Sequence, residues 1–537
     1  MSNTSILQVR VTSSSRIYPD EQRGVHVSTV ALSIVDAVVA NFSSSGAIWY
    51  YDEATSPALS PETLKASLAK VLCYYPQLAG QLQWAAYNPE KGHTHRFHRL
   101  EIVYGSASDP GVEFLAAESP LNIEQILPSA SMRREHETEW ETSQLPTEKL
   151  FPPTTLSLGN LKDSKGLPCM VVQMTKFTGG AVAIAVKIAH SLADAHALAL
   201  FVHDWANTQR AMAASRPLPV LTPVFDPQFL DSYASGDINA PEPDKLILQS
   251  SRSLPCHRYD WWASASNCPG PNPATEVPME NLTPPLPDFE PGIQIPWSEW
   301  DLESPVSNRL MHFSRSEVDG IWAAASSTSE PYTSQKITIS RHDALLAHIW
   351  MVINRARRIE DDEPVYMDLS FGLRRRLYPT LPDNFMGSPI FIAAVPSTSQ
   401  SLSDVSALGD TSRVIHSTLT KFTASSLSDM LHDWAYEACP HRIWQANMGK
   451  RHLLVTSWVH TRVHEVEFVN ENAPRYVHAA MPHMDGIVQV MEPCVDRKTA
   501  ETAEKRKWYS NGVDVAVYLV VQHMENMLHD PLLRRYR

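Results

Sequence analysis

The chain has 537 residues, of which 43% are hydrophobic and 19% charged, and these globular values exclude a mostly disordered protein. Its formal net charge of −14 has the wrong sign for attracting phosphate backbones, so we expect no nucleic-acid partner. The six cysteines lie far apart without a Cys-x-x-Cys pair, which favours reduced thiols over a disulfide framework or a zinc finger.

The sequence shows no pattern typical of a targeting or membrane-spanning segment. The start, MSNTSILQVRVTSSS, lacks the continuous apolar run of a secretory signal. The most apolar stretch, residues 181–202, is interrupted by Lys187, His190 and Asp194. We therefore expect a soluble cytoplasmic protein that does not bind a membrane.

The first half of the chain mixes helix and strand signals. Ser60 followed by Pro61 is a typical helix start, because serine caps the helix and proline tolerates the first helical position. Apolar residues then recur at helical spacing from Leu64 until Pro76 ends the pattern. A strand is predicted over Met170–Met174.

A second strand, over residues 182–188, leads directly to a histidine. Valine and isoleucine alternate there with alanine and one lysine, so one strand face is bulky and the other mostly small. This pattern predicts a buried strand whose small face is approached closely by another element. After His190 the spacing becomes helical. His190 is therefore predicted to lie where a buried strand gives way to a helix.

A proline-rich segment separates two halves of the chain. Residues 217–296 contain 16 of the 40 prolines and show no sustained periodicity, which is typical of a long crossover. We predict an N-terminal domain at 1–210, the crossover at 211–300 and a C-terminal domain at 301–537. The aromatic residues Tyr259, Trp261 and Trp262 predict that the crossover packs along the protein.

The second half continues the mixture of helix and strand. A helix is predicted after Ser340, with Asp343 in the position of a capping-box acid. Strands are predicted over Val365–Leu369 and over VDVAVYLVVQ, residues 513–522.

The sequence His190-Ser-Leu-Ala-Asp194 forms an H-x-x-x-D unit at the predicted junction. A neutral imidazole is suited to removing the proton of a hydroxyl or amine nucleophile. Asp194 lies near the start of the following helix, where exposed N–H groups favour an anion. It is predicted to brace the loop that carries His190 or to pair with an arginine elsewhere. The pattern alone is also compatible with a hydrogen-bonded core histidine.

Eight blocks of the sequence, in a fixed order, cover most of the chain outside the crossover. They are LSIVDAVV, LKASLAKVLCYYPQLAGQL, GGAVAIAVKIAHSLADAHALALFVHDWA, SRHDALLAHIWMVINRAR, LSFGLRRRLYPTLPDNFMGSPI, TSWVHTRVHEVEFV, PHMDGIVQVMEP and GVDVAVYL. This ordered set resembles the BAHD acyltransferases, in particular their fungal secondary-metabolite branch.

This resemblance implies an α/β fold of two chloramphenicol-acetyltransferase-like domains with the active-site channel between them. It implies that His190 is the general base, that Asp194 is structural, and that acyl-CoA is the co-substrate, with no permanently bound cofactor. The expected reaction transfers an acetyl or similar short acyl group to a hydroxyl of a small-molecule secondary metabolite. We expect a monomer.

One segment departs from the family pattern. The family's D-F-G-W-G falls on Glu467-Phe-Val-Asn-Glu471, so both glycines are lost. The resemblance implies that Glu467 pairs with Arg374 or Arg376 as a structural element near the CoA entrance. Without glycines, a left-handed backbone is disfavoured here, and Asn470 is the residue expected to tolerate it best. Because the resemblance places this segment near the CoA entrance, its departure bears on whether the protein binds acyl-CoA.

Two further groups of residues are candidates for ligand binding. Lys505, Arg506 and Lys507 are a possible contact for the phosphates of CoA, although a charge run is more often a solvated turn. His478, His483 and Asp485 match no closed zinc pattern, and we expect no metal there.

Two alternatives to acyl transfer remain open at this stage. In one, the same fold uses His190 for a CoA-independent cyclisation, elimination or rearrangement in secondary-metabolite biosynthesis. In the other, the protein is a non-catalytic ligand-binding relative. The altered 467–471 segment favours the first alternative, and the intact H-x-x-x-D unit disfavours the second.

Overall fold

The computed structural model describes residues 9–20, 26–52, 59–96, 99–129, 132, 139–142, 145–157, 164–270, 272–276, 291–327, 338–437, 439–494 and 507–537. The strands in chain order are β1 (Arg10–Ile17), β2 (Ser28–Ala31), β3 (Ser45–Tyr51), β4 (Gln81–Trp84), β5 (Leu100–Tyr104), β6 (Val112–Asn122), β7 (Glu139–Glu141), β8 (Met170–Thr178), β9 (Val182–Ile188), β10 (Tyr259–Asp260), β11 (Val306–Phe313), β12 (Pro364–Gly372), β13 (Ile390–Thr398), β14 (Ile443–Trp444), β15 (His452–Ser457), β16 (Tyr476–Ala479), β17 (Ile487–Met491) and β18 (Val513–Val520).

The α-helices within these residues are α1 (Ile34–Val38), α2 (Pro61–Leu72), α3 (His93–Arg96), α4 (Thr147–Leu150), α5 (Ala195–Ala213), α6 (Pro227–Asp231), α7 (Lys245–Arg252), α8 (Arg315–Ser327), α9 (Arg341–Arg357), α10 (Ser399–Ser403), α11 (Leu408–Thr420), α12 (Ala424–Ala435) and α13 (Val521–His529). None of the helices in the described part of the chain has the length and apolar character required to cross a membrane.

The N-terminal sheet has the strand order β1-β6-β8-β9-β3-β16. The predicted strand over 182–188 is β9, in the interior of this sheet. Its bulky residues, including Ile184, pack into a core that contains Leu68 of α2 and Trp205 of α5. The Trp205 indole also donates a hydrogen bond to Ser67 Oγ at 3.0 Å, which fixes α5 against α2.

The C-terminal sheet has the strand order β13-β12-β15-β17-β18-β11-β7. The sheet is mixed, since β12, β15 and β17 are parallel and the outer pairs are antiparallel. Helix α9 is buried along most of its length and packs on this sheet through Leu345 and Ile349. Its predicted capping box is confirmed: Ser340 Oγ accepts from Asp343 N at 3.1 Å, and Asp343 accepts from Ser340 N at 2.8 Å.

Each half of the chain contributes a strand to the sheet of the other half. Strand β16 pairs antiparallel with β3, and β7 pairs antiparallel with β11. The small face of β9 lies at this junction, where Ala183 and Ala185 pack in one cluster with Trp140 and Tyr476. The alanines predicted to permit a close approach therefore accommodate aromatic residues from the exchanged strands. The domain boundaries at 210 and 300 stay a prediction.

The crossover packs along the protein, as its aromatic residues predicted. Strand β10 pairs with β14 of the second half, placing Tyr259 opposite Trp444. The Trp261 ring stacks on Trp444 with a centroid separation of 4.9 Å. Asp260 and Arg442 form a buried ion pair beside this contact.

The remaining local predictions are confirmed, with shifted boundaries in the strands β8, β12 and β18. Helix α2 begins after Ser60, whose side chain accepts from Thr63 N at 3.3 Å. The last strand ends at Val520, two residues earlier than predicted, because its partner β11 begins at Val306 opposite Val520. Without a strand to pair with, the chain continues as α13. The six cysteines are free thiols, as expected.

Candidate active site

A cavity of about 550 Å³ lies between the two halves of the chain. Its walls come from distant parts of the sequence: the segment after α1, the β9–α5 junction, the crossover, and the ends of β12, β14 and β15. Apolar and aromatic side chains predominate, with a few polar groups that include His190. A mostly apolar cavity with few converging polar groups is typical of a small-molecule site.

Local sequence places His190 at the cavity wall. Strand β9 ends at Ile188, a short 3-10 turn covers His190–Leu192, and α5 begins at Ala195. Asp194 is the N-cap of α5, since its Oδ1 accepts from Ala197 N at 2.9 Å. The predicted strand-to-helix junction is thus observed, and the cap holds the turn that presents the imidazole.

Ser388 determines which nitrogen of His190 carries the proton. The Ser388 hydroxyl donates its only proton to the main-chain carbonyl of His190. Its oxygen also lies 3.1 Å from His190 Nδ1, so it must accept from an Nδ1–H group. Nε2 is then the unprotonated nitrogen of the neutral ring. Burial lowers the pKa of His190 below 6.5, partly offset by the negative charge of Asp194, and favours this neutral form.

Asp194 forms a buried bidentate ion pair with Arg374. Arg374 Nη1 donates to Oδ2, and Nη2 donates to Oδ1 at 3.0 Å. Burial alone would raise the pKa of Asp194, but the charge and hydrogen bonds of Arg374 outweigh it and hold the pKa below its ordinary value. Arg374 also donates to the Phe385 carbonyl at 3.1 Å. The ion pair therefore ties the His190 turn to the second half of the chain.

A second carboxylate, Asp36 of α1, holds Ser388 in place. Its Oδ1 accepts from Ser388 N at 2.7 Å, and its Oδ2 accepts from Ser33 Oγ at 2.6 Å. Gly387 has a φ of +120°, and a Cβ there would lie 3.0 Å from Asp36 Oδ1, so a side chain would not fit. Burial raises the pKa of Asp36 to about 7, against the lowering effect of these hydrogen bonds.

Sequence reasoning did not assign Asp36 and Ser388 to the site. The spacing of Ser33 and Asp36 is a visible helix-capping signal, and the structure contains that capping box. Its connection to His190, however, crosses about 350 residues and exists only in the folded chain. His196, in the first turn of α5, also lines the cavity and contacts the Asp383 carbonyl at 2.7 Å.

The expected pairing of Glu467 with Arg374 or Arg376 is wrong. Arg374 binds Asp194, while Arg376 donates to the Leu419 carbonyl at 3.0 Å and lies over the Phe371 ring. These contacts are available because both arginines follow β12, next to α11 and the Gly387 turn. The main-chain carbonyl of Glu467 instead accepts a hydrogen bond from Arg210 of α5.

The segment 467–471 retains a left-handed residue despite its missing glycines. That residue is Glu471, with a φ of 61°, and not Asn470 as the sequence suggested. Phe468 fixes the segment in the N-terminal core, where its ring meets the Trp205 ring edge-on at 4.8 Å. The turn is therefore preserved by packing around Phe468 at the cost of an unfavourable φ.

The remaining predicted candidates are not brought together at the cavity. Lys505 and Arg506 lie outside the described residues, whereas Lys507 is exposed and does not line the cavity. His483 contacts the Val306 carbonyl at 2.9 Å, and Asp485 pairs with Arg357.

His478 is buried beside Tyr476, and its contacts differ from those of His483 and Asp485. Within the described residues, the one cluster of three His or Asp groups close enough to share an ion is His257, Asp368 and His452, where Asp368 lies 2.9 Å from His452 Nδ1 and 3.2 Å from His257 Nε2.

Known proteins are similar to this chain along nearly its whole length. The model of a family described as "Transferase family" matches residues 7–245 and 264–533. Acyltransferase AFT15-1 of Alternaria alternata is 24% identical over 544 residues, covering 98% of this chain and 97% of that protein. Acyltransferase abl6 of Leptosphaeria maculans is 25% identical over 537 residues, with 98% of each chain covered.

Solved structures share the fold at low sequence identity. Vinorine synthase superimposes with a TM-score of 0.59 at 17% identity, covering 97% of this chain and 96% of that one. TRI101 of F. graminearum, complexed with coenzyme A and deoxynivalenol, has a TM-score of 0.65 at 14% identity, covering 95% and 99%. The predicted mixed α/β fold with two chloramphenicol-acetyltransferase-like domains is therefore confirmed.

Proposed function

Because the chain belongs to the Transferase family, the BAHD-type acyltransferases, we propose that it is an acyl-CoA-dependent O-acyltransferase with His190 as its general base. The acceptor is a hydroxylated small molecule of secondary metabolism, and the group transferred is acetyl or a similar short acyl. The enzyme acts as a monomer in the cytoplasm. Its relatives in Alternaria alternata and Leptosphaeria maculans support the acyltransferase class.

The observation that carries this proposal is the hydrogen bonding of His190. His190 Nδ1–H donates a hydrogen bond to the Ser388 oxygen, so Nε2 is the basic nitrogen of the ring. His190 lines a cavity that both halves of the chain enclose. Asp194 does not act as the base, because its carboxylate oxygens accept hydrogen bonds from Arg374 and from the first turn of α5. The site thus contains one base and a structural carboxylate, the set that acyl transfer from a thioester requires.

The reaction follows from this arrangement. The acceptor hydroxyl donates its proton to Nε2 of His190 while its oxygen forms a bond to the thioester carbonyl carbon. The tetrahedral intermediate then releases the thiolate as the C–S bond breaks, and the proton passes from His190 to sulfur. A positioned base of this kind contributes about 10²–10⁴-fold. No covalent acyl-enzyme is needed, because the acyl group is already activated as a thioester.

Acyl-CoA is the proposed donor for two reasons. The structural neighbour TRI101, which has the same two-domain fold, is complexed with coenzyme A. In the present chain, the segment 467–471 keeps its turn through Glu471 and its core anchor through Phe468, although both family glycines are lost. A left-handed turn next to a buried aromatic anchor supports a donor entrance built with these side chains.

A second candidate function is a CoA-independent rearrangement catalysed by the same base. The observation in its favour is the chemical change at residues 467–471, where Val469 and Glu471 replace the family's two glycines and Asn470 replaces its tryptophan. In that case a proton would be removed from the single substrate by Nε2 of His190 and returned to it, with no thiol released.

Calorimetric titration with coenzyme A separates the two functions. We expect saturable binding at millimolar CoA or below, and release of free thiol when acetyl-CoA and a panel of alcohols are mixed with the enzyme. His190→Ala should retain CoA binding while thiol release falls to background. The absence of heat and of thermal protection at millimolar CoA would reject acyl transfer from CoA and favour the second candidate.

A further inference from the structure

The crossover and the second half together build an aromatic wall at one end of the cavity. Trp261, Trp300 and Trp444 all line the cavity, and we name these three residues the tryptophan wall. Trp261 and Trp444 are stacked at 4.9 Å with an angle of 19° between their planes, and Trp300 meets Trp444 at 6.0 Å and 62°. The wall therefore presents broad apolar surfaces to a ligand.

The tryptophan wall is held rigidly before any ligand binds. The Trp300 indole donates to Asn447 Oδ1 at 2.8 Å, which leaves its ring faces for apolar contact. Trp261 follows Asp260, whose carboxylate is paired with the buried Arg442. The main-chain N–H of Trp261 donates to the Arg442 carbonyl at 2.9 Å. Preorganised aromatic surface gives affinity without an ordering cost.

A buried histidine beside the tryptophan wall, His441, makes no ring hydrogen bond to the described part of the chain. His441 is 5% exposed and lines the cavity, with its ring against the indoles of Trp84 at 5.2 Å and Trp262 at 6.3 Å. Within the described part of the chain, no hydrogen bond is made by either of its ring nitrogens. Burial and the nearby charge of Arg442 lower the pKa of His441 to about 4, so the ring is neutral at physiological pH.

A neutral imidazole offers one N–H donor and one nitrogen acceptor. Because His441 lines the cavity, a ligand there can supply the hydrogen-bond partners that the described chain does not. Charged side chains that line the cavity are paired with one another, Asp194 with Arg374 and Arg375 with Asp383. The His441 end therefore suits an uncharged ligand with a polar group and does not suit a phosphate.

Two of the histidines that line the cavity, His190 and His441, lie on either side of one short segment. Asn41 Nδ2 donates to the His441 carbonyl at 2.9 Å, and the neighbouring Phe42 ring meets the His190 ring edge-on at 5.5 Å. A single molecule can thus reach Nε2 of His190 with one group and the His441 ring with another, while its body lies along the tryptophan wall.

We infer that the acceptor is an uncharged, fused-ring apolar molecule with two polar groups. One is the hydroxyl that reacts at His190, and the other is a hydroxyl or carbonyl that binds His441. The inference deepens the proposed acyl transfer and rests on it for the identity of the reacting group. His441 is here a specificity-determining residue, and the tryptophan wall is the apolar surface that selects a broad, rigid body.

Binding of matched ring systems to the full chain tests this inference. The probes are androstanediol and androstanol, which share four rings and differ by one hydroxyl, and the two-ring pair decalindiol and decalol. Affinities are measured by calorimetry and by quenching of tryptophan fluorescence, without any acyl donor. We expect the diol of at least one of the two pairs to bind about tenfold more tightly than the mono-hydroxyl compound of that pair. This is the scale of one additional hydrogen bond.

Variants assign the contacts. His441→Phe should bring the diol and mono-ol affinities of that pair within about twofold of each other, while His441→Gln keeps part of the difference. Trp300→Ala should weaken both members of the pair alike. His529→Phe, at the exposed end of α13, is the matched control and should change neither. Melting curves and CoA titrations verify that each variant is folded.

Three results would overturn the inference: no binding of either ring system, an unchanged diol preference in His441→Phe, or full displacement of the bound diol by free coenzyme A. Failure of the proposed function is a separate result, because it is scored by thiol release and by its dependence on His190. An enzyme that binds the diol through His441 but releases no thiol would keep the acceptor site and lose the acyl transfer.

Discussion

At the residue scale, the chemistry depends on which ring nitrogen of His190 carries its proton. The Ser388 hydroxyl donates to the His190 carbonyl and accepts from Nδ1, so the ring is oriented by the same turn that carries it. Asp36 holds Ser388 from the opposite side of the interface. Asp194 supplies the cap and the ion pair that keep the turn in place. Base and support are thus separate side chains.

Replacement of His190 should remove catalysis without unfolding the protein. His190→Ala is expected to lower kcat by about 10²–10⁴-fold, the contribution of a positioned general base, with the melting temperature nearly unchanged. His529→Ala is the control. Turnover within tenfold of wild type in folded His190→Ala would contradict the assignment.

The pH profile of the wild type gives a second readout of the same base. Burial lowers the pKa of His190, so the reactive neutral form persists below pH 6.5. We therefore expect the acid limb of kcat/KM to fall at a pH below 6.5, not above it. A decline that begins above pH 7 would indicate a different titrating group.

Three consecutive arginines provide a matched test of the buried ion pair. Arg374→Ala leaves Asp194 buried without its cation and should lower the free energy of unfolding by about 3–5 kcal/mol. Arg375→Ala, whose side chain is 77% exposed, should change it by less than about 0.5 kcal/mol. Urea unfolding measures both. Equal stabilities of the two variants would show that the Asp194–Arg374 pair does not support the fold.

At the element scale, the segment 467–471 shows how packing preserves a turn whose glycines are gone. Phe468 is buried between Tyr51 and Trp205, so the segment keeps its place in the core. The left-handed φ then falls on Glu471, where a residue with a Cβ is disfavoured by roughly 1–2 kcal/mol. The structure therefore carries local strain at this position.

Glu471→Gly should relieve that strain. A glycine also adds unfolded-state entropy worth about 0.4–1 kcal/mol, so we expect net stabilisation of up to about 1 kcal/mol, with CoA affinity unchanged. Glu525→Gly, in the exposed face of α13, is the matched control and should destabilise by about 1 kcal/mol. Thermal and urea unfolding compare the two, and destabilisation by Glu471→Gly would contradict the assignment of strain.

At the scale of the whole molecule, the two halves are held together by exchanged strands and by a shared cavity. Strand β16 completes the N-terminal sheet, β7 completes the C-terminal sheet, and the crossover closes one end of the cavity through the tryptophan wall. Three buried histidines lie in the second half of the chain: His348 in α9, His441 before β14 and His478 in β16. Acid should therefore weaken the whole structure.

Burial lowers the pKa of each of these histidines to about 4. Between pH 6.5 and 4 the unfolded chain binds their protons and the folded chain does not, so stability falls as the pH falls. Each contributes a slope of up to about 1.4 kcal/mol per pH unit. Asp36, whose pKa is raised by burial to about 7, takes up a proton on folding in this range and offsets about one of them.

We expect the free energy of unfolding to be lower at pH 5 than at pH 7, as measured by urea denaturation at both values. His478→Phe should show a smaller loss on acidification than wild type. A protein that is equally stable at both pH values would contradict the neutral burial of these histidines.

Several helices and strands, the H-x-x-x-D unit and the family resemblance could be obtained from the sequence, because each depends on neighbouring residues. Caps at Ser60 and Ser340, the alternation along β9 and the turn at His190 are local signals, and the structure contains them. The tertiary structure decided what these elements meet. Arg374 binds Asp194 and not Glu467, since the β12–β13 connection brings its guanidinium to the α5 cap.

The same applies to Ser388, Asp36 and His441. Their contacts join residues hundreds of positions apart, and a single sequence contains no signal for such distances. The sequence by itself therefore predicted His190 as the base and determined the strand and helix that carry it. Only the folded chain decided the tautomer of that base and the shape of the cavity around it, because both depend on side chains that folding brings from opposite halves into contact.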